Sequence, residues 1–289
     1  MRASPGPVGG ECAVSFRTYR DVAGADGSGI AEQVGAQRAK VLQRLRSVRR
    51  VVAVMSGKGG VGKSYVTAEL ARAAASRWPS RVGVLDADLR SPTVARLLEA
   101  TTGQALVVAE QGVHPAIGAG GVRVMSTEFL LESGRPLAWR EPDAEQFVWR
   151  GAFEAAVLRE FLGDVQWGDL ELLLVDLPPG ADGVADLFTL VPQLTGALAI
   201  TLPTEESRRS VARALSAARA AGITLLGVSE NMAGYCCEDC GRSAAVFPGQ
   251  AGAELVAEFG IPLLARIPLL PAGQPLADGE WGRVLEAMP

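Results

Sequence analysis

Short apolar runs and amphipathic stretches alternate along most of this chain. The runs Val51–Met55, Arg81–Leu85, Val122–Met125, Leu170–Val175, Ala197–Leu202, Ile223–Val228 and Leu263–Ile267 are β-branched or leucine-rich, and several lack polar alternation. That is the form of strands covered on both faces. Between them Lys63–Ser76, Asp143–Leu162, Glu205–Ala221 and Gly252–Phe259 read as helices. The alternation predicts an α/β fold over 51–289, one domain whose mostly parallel sheet is flanked by helices on both faces. Upstream, Ile30, Val34, Val41, Leu42 and Leu45 with charges between them predict an amphipathic helix within 30–50. Its basic end, Arg44, Arg46, Arg49 and Arg50, is most simply a solvated face with cations near the helix C-terminus. Residues 1–29, rich in Gly, Pro and small polar side chains, read as a flexible tail.

Composition then narrows the classes. Of 289 residues, 48% are hydrophobic, enough for a real core, which excludes a wholly disordered chain. With 28 Lys+Arg against 32 Asp+Glu the formal charge is −4, and no nucleic-acid partner is expected. No apolar run approaches the ~18–20 residues of a membrane span, and the start has no apolar signal region, so the expectation is a cytoplasmic protein without membrane insertion. One histidine, His114, reads as a surface-loop residue, and it leaves little room for a Ser-His-Asp triad. The five tryptophans, Trp78, Trp139, Trp149, Trp167 and Trp281, read as core or interface residues.

The first strand runs into Gly57-Lys58-Gly59-Gly60-Val61-Gly62-Lys63-Ser64, which satisfies G-x-x-x-x-G-K-[ST] between a strand and a helix. Glycines let the backbone turn its N–H groups toward phosphate oxygens, and the helix start adds its positive end. Lys63 is expected at the β- and γ-phosphates and Ser64 on Mg²⁺. This makes the domain a P-loop NTPase. The second strand ends in Asp86-Ala87-Asp88 at the carboxyl edge of the sheet, where open α/β folds bind ligands, and one of the two carboxylates can orient an attacking water. Leu172-Leu173-Leu174-Val175-Asp176 has the form of a Walker B strand, with Asp176 directed to Mg²⁺ through water and Pro178-Pro179 stiffening the next loop.

The sixth strand runs into Asn231-Met232-Ala233-Gly234-Tyr235-Cys236-Cys237-Glu238-Asp239-Cys240-Gly241. A C-x-x-C offers two thiolates to one metal centre but only half of a four-thiolate shell, so other ligands come from elsewhere in the chain or from a second protomer. Cys12 alone cannot complete a set of four.

The order SGKGGVGKS, LDAD, WRG, WGDLELLLVDLPPG, ENM, YCCEDCG, covering about Val51 to the C-terminus, resembles the deviant Walker A ATPases and, within them, the Mrp-type iron-sulfur cluster carriers. The resemblance implies ATP and Mg²⁺ as cofactors and a homodimer in which Lys58 contacts phosphates across the interface. It implies Asp88 as the water-positioning residue, Asp86 as support for the Mg²⁺ environment, and Asn231 at the adenine. It further implies a [4Fe-4S] cluster bridged by Cys237 and Cys240 of two protomers and passed to apo iron-sulfur proteins or assembly factors, with Cys236 a bystander. The alternative within the superfamily is a MinD/ParA-like nucleotide switch that recruits a partner and holds zinc structurally. Departures from the pattern are Tyr65 for a small hydroxyl residue, Glu69 for a neutral amide, Ala181 in the loop after Asp176, and Arg90-Ser91-Pro92-Thr93 after the paired aspartates. Tyr65, next to the loop and counted with its nucleotide contacts, is too bulky for the family's α-phosphate contact without rearrangement, which implies altered hydrolysis.

Overall fold

The computed structural model describes residues 30–100, 106–130, 150–181, 183–237, 240, 242–269 and 278–289. The expected tail, Cys12, Trp139 and Trp149 lie outside them.

The four apolar runs β1 (Val51–Ser56), β2 (Val82–Asp86), β7 (Leu172–Asp176) and β8 (Gly196–Thr201) are buried at every position. Their side chains alternate between two cores. Val51, Ala53 and Met55 join one, together with Leu173 and Val175, while Val52, Val54, Leu172 and Leu174 join the other. The first core is covered by α1 (Ile30–Arg44), α4 (Arg150–Asp164), α5 (Gly183–Leu190), α6 (Glu205–Ala220) and α7 (Ala251–Phe259). The second lies under α2 (Lys63–Arg77), the short α3 (Val94–Leu97) and α8 (Asp278–Glu286).

Among the described residues the main sheet has nine strands in the order β10 (Ser243–Ala244), β9 (Leu225–Cys236), β8, β1, β7, β2, β6 (Arg123–Met125), β5 (Ala116–Ile117), with β11 (Leu263–Leu269) also on β9. Pairing is parallel except at β5 and β10. Because β1, β2, β7 and β8 run the same way, their carboxyl ends share one edge, with Asp86 opposite Asp176 in register.

The structure differs from these expectations at four points. The N-terminal helix stops at Arg44 and tightens into a 3-10 turn, Leu45–Ser47; Val41 and Leu45 are buried in the domain's own core. Its basic end is not simply solvated, since Arg50 pairs with Glu171 at 3.1 Å and stacks on Trp78. His114 belongs to a strand rather than a loop: β3 (Val107–Ala109) and β4 (Gly112–His114) form a separate hairpin before β6 (Arg123–Met125). The strand expected to stop at Val228 continues to Cys236, past a left-handed residue at Met232 (φ 54°). Of the described tryptophans, Trp167 and Trp281 are core residues, and Trp78 is half-buried beneath two arginines.

Candidate nucleotide and thiolate site

The loop between β1 and α2 follows the motif. Gly60 and Gly62 take φ of 77° and 78°, a region open to glycine at low cost. Gly57 serves another need: a Cβ there would come within 2.1 Å of the Ser210 backbone, so only a bare Cα lets α6 close on the loop. Together with Lys58, Lys63, Ser64, Tyr65 and Asp88 the loop lines a cleft of about 490 Å³ at the carboxyl edge of the sheet.

Asp176 is fully buried beneath this loop. Its Oδ2 accepts from Ser64 Oγ at 2.6 Å and pairs with Lys63 Nζ at 2.7 Å, and its Oδ1 lies 2.8 Å from Thr67 Oγ1. Asp86, in register with it one strand away, is also buried. Backbone N–H groups of Thr93 and Val94 and the Ser126 hydroxyl donate to Asp86 Oδ2, and the Asp88 N–H to Oδ1. Asp86 thereby ties the start of α3 to the sheet. Burial first, then the neighbouring Asp176 charge, pushes its pKa up from 3.8 to about 7. A Ser hydroxyl beside one buried carboxylate, with a second buried carboxylate next to it, is a hard-oxygen set that a Mg²⁺ ion fits. Ser64 would hold it, with Asp176 acting through water, and the ion would neutralise phosphate charge.

The raised pKa carries a stability consequence. A folded-state pKa above the unfolded value means that the folded chain binds more protons between about pH 4 and 7, so stability present at low pH is lost as pH rises through about 7. The chain without nucleotide, in chelator, is therefore expected to lose on the order of 2–4 kcal/mol across that window from Asp86 alone. Asp86→Asn, which keeps an acceptor for Thr93 and Val94, flattens the slope of unfolding midpoint against pH; an equal slope in wild type and variant would refute the assignment.

Asp88 is half-buried at the cleft, its Oδ1 accepting the Ser91 N–H at 3.2 Å, and burial raises its pKa while Lys63 pulls the other way. Lys58 is half-buried on the opposite limb of the loop and also faces the cleft. Tyr65 is 44% exposed at the rim, and the Glu69 carboxylate is taken up by Arg72, so neither departure fills the phosphate loop. Asn231 is buried against the loop, where its Nδ2 donates to the Val61 carbonyl at 2.9 Å; a Cβ on Gly62 would collide with that amide. Thr67 and Ser126 escaped the sequence reading, since each acts only through a carboxylate brought to it from a distant strand.

The cysteines lie at the far end of β9. Cys236 pairs with Ser243 of β10, and the Cys237 N–H donates to the Arg242 carbonyl at 3.0 Å, so the C-x-x-C spans a hairpin connection with Cys240 exposed. Among the described residues no third Cys, His, Asp or Glu gathers with the pair. No described helix is long and apolar enough to cross a membrane.

A family model for the NUBPL iron-transfer P-loop NTPases matches residues 47–286. The iron-sulfur cluster carrier protein of Saccharolobus solfataricus is 36% identical over 244 residues, covering 84% of this chain and 79% of that protein. The human cytosolic Fe-S cluster assembly factor NUBP2 is 39% identical over 233 residues, covering 79% and 82%. A nucleotide-binding protein of Archaeoglobus fulgidus, solved with ADP, superposes with a TM-score of 0.68 at 33% identity over 87% of this chain and 94% of that one. The cell division ATPase MinD of Pyrococcus furiosus shares the fold, with a TM-score of 0.53 at 22% identity over 83% and 98% of the two chains.

Proposed function

Since the chain belongs to the NUBPL iron-transfer family of P-loop NTPases, we propose that it is a Mg-ATP-dependent iron-sulfur cluster carrier. In this reading two protomers bridge a [4Fe-4S] cluster, the cargo, through Cys237 and Cys240, and ATP binding and hydrolysis are coupled to loading it or delivering it to apo iron-sulfur proteins or assembly factors. A cytosolic location comes with the same reading, from the human relative's name.

The observation that carries it is the continuity of β9. Asn231 braces the phosphate loop, and six residues on, past an irregularity between Asn231 and Tyr235 in the pairing with β11, stands Cys237. Met232 between them holds a left-handed conformation that costs a β-strand residue about 1–3 kcal/mol, and its side chain lies 3.9 Å from where a Gly62 Cβ would be. In this reading nucleotide binding at the loop acts on the strand that leads to Cys237 and Cys240. A C-x-x-C supplies two thiolates of a four-thiolate shell, and in this reading a second protomer supplies the other two.

Each residue then has a role that its surroundings allow. The loop N–H groups and Lys63 bind phosphates, Lys58 reaches the phosphates of the partner protomer, and Ser64 holds Mg²⁺ with Asp176 and Asp86 acting on it through water. Asp88 orients water for hydrolysis. Asn231 holds the loop through the Val61 carbonyl, and its contact with adenine is what the family resemblance implies.

The test is anaerobic reconstitution with iron and sulfide, followed by iron, sulfide and zinc analysis and the particle mass. One cysteine-dependent cluster per dimer is expected, and its complete loss in Cys237→Ser/Cys240→Ser. Tightly held zinc in the protein isolated without oxygen, or cluster uptake undiminished in the double variant, overturns the cargo assignment and leaves a nucleotide-switched binding protein.

A further inference from the structure

On the side of the sheet where β6 begins, away from the nucleotide loop, the end of α1, the β3–β4 hairpin and the turn before β7 enclose a cleft of about 830 Å³. Lys40, Arg44, His114 and Arg123 line it, the remaining polar walls are glutamine and serine, and no carboxylate is among the lining residues. In a chain of net charge −4, one lysine and two arginines gathered without a lining carboxylate are not background.

Both guanidiniums are held in place by backbone. Arg44 donates through Nε to the Gly163 carbonyl at 3.1 Å and through Nη2 to the Gln111 carbonyl at 2.7 Å, and Arg123 donates to the Trp167 carbonyl. Glycines make the room. A Cβ on Gly168 (φ 63°) would strike Arg123 at 2.4 Å, and one on Gly112 (φ 132°) would meet the Asp164 carbonyl at 2.0 Å and Arg44 at 3.3 Å. The hairpin wall is pinned by the Gln166 N–H donating to the Val113 carbonyl at 2.8 Å.

The contrast with neighbouring arginines is informative. Arg49, Arg50 and Arg81, at the starts of β1 and β2, converge on one carboxylate, Glu171. Around the cleft Asp164 is paired with Lys40, and neither Arg44 nor Arg123 has a carboxylate partner among the described residues. Those three share a carboxylate, whereas Arg44 and Arg123 are positioned by backbone carbonyls alone with N–H groups left over, the fork that matches phosphate or carboxylate oxygens.

We propose that this cleft is a second ligand site, independent of the nucleotide loop, that takes a small anionic molecule whose charge is carried by phosphate or carboxylate. Its size lies within the roughly 300–1,000 Å³ usual for small-molecule sites.

The chain's one histidine sits in the wall, so the imidazole Hε1 signal of the untagged, full-length protein reports occupancy without further assignment. The protein is saturated with Mg-ADP to fill the phosphate loop and titrated with inorganic phosphate or succinate at constant ionic strength. A saturable displacement of the His114 signal is expected, weakened about tenfold or more in Arg123→Gln, as loss of a charge-assisted contact requires. Lys40→Gln serves as the second variant, on a more exposed side chain, should Arg123→Gln not fold by thermal unfolding. Tighter phosphate marks a phosphorylated ligand and tighter succinate a dicarboxylate. No saturable displacement by either anion, a displacement matched by sodium chloride, or one undiminished in the folded variants overturns the proposal.

Discussion

Lys63→Ala is expected to remove nucleotide binding and, separately, to destabilise the chain without any nucleotide present. The two losses have different origins. Lys63 is only 6% exposed, and its ammonium is the sole charged partner of the fully buried Asp176 among the described residues. Taking one member from a buried ion pair leaves the other uncompensated and costs about 3–5 kcal/mol, less whatever Asp176 recovers by taking up a proton. Nucleotide loses charge-assisted contacts to its phosphates at the same time, and these are worth about 1.5–3 kcal/mol each, so affinity falls on the order of 100-fold or more. The double variant Lys63→Ala/Asp176→Asn separates the effects, because it removes the stranded charge while restoring nothing to the phosphates. Thermal unfolding should recover most of the lost stability in the double variant, and calorimetry with ADP should still find no tight binding. ADP affinity within a few-fold of wild type in the single variant would mean that the phosphates lie elsewhere.

What could be read from the chain alone follows the range of the interactions involved. The phosphate loop is legible because its function is local backbone geometry: positive φ at Gly60 and Gly62 and a helix beginning at Lys63 are written in consecutive residues. Asp176 is legible as the end of a fully buried strand. Thr67 is not, because its meaning depends on β7 lying beside β1 so that Asp176 comes within 2.8 Å of its hydroxyl. The extension of β9 is not legible because Asn and Gly are poor strand formers; at Asn231 and Gly234 pairing with β11 on one side and β10 on the other overrides that preference. The β3–β4 hairpin turns at Glu110-Gln111, a pair without the usual hairpin signal, with Gly112 at φ 132° supplying the backbone freedom one position later. The basic cleft was invisible for the same reason as Thr67. Lys40, Arg44, His114 and Arg123 are scattered over more than eighty positions and meet only when β6 and the hairpin are laid against α1.

Asp88→Asn should uncouple binding from turnover. Asp86 and Asp88 end the same strand, yet their surroundings separate their duties: Asp86 is buried with both oxygens accepting from protein donors, whereas Asp88 is half-buried and faces the cleft beside Lys63. A carboxylate at that mouth can accept a hydrogen bond from an incoming water and hold its lone pair toward the terminal phosphate, work that a neutral amide does poorly. Loss of a positioned base or water-orienting group typically costs 10²- to 10⁴-fold in rate. Hydrolysis in Asp88→Asn should therefore fall by about that factor. ATP affinity should hold or tighten, since one negative charge has left a cleft that must accept phosphates. The variant would then rest in the ATP-bound form. If nucleotide state reaches the thiolates through Asn231 and Met232, cluster uptake on Cys237 and Cys240 survives in this variant while transfer to an apo acceptor stalls, or uptake itself stalls and ADP restores it. Either pattern assigns the hydrolytic step to one half of the cycle, whereas wild-type turnover in Asp88→Asn would take the water-orienting role away from Asp88, and uptake and transfer both unchanged despite lost hydrolysis would show that the strand between the two sites carries no signal.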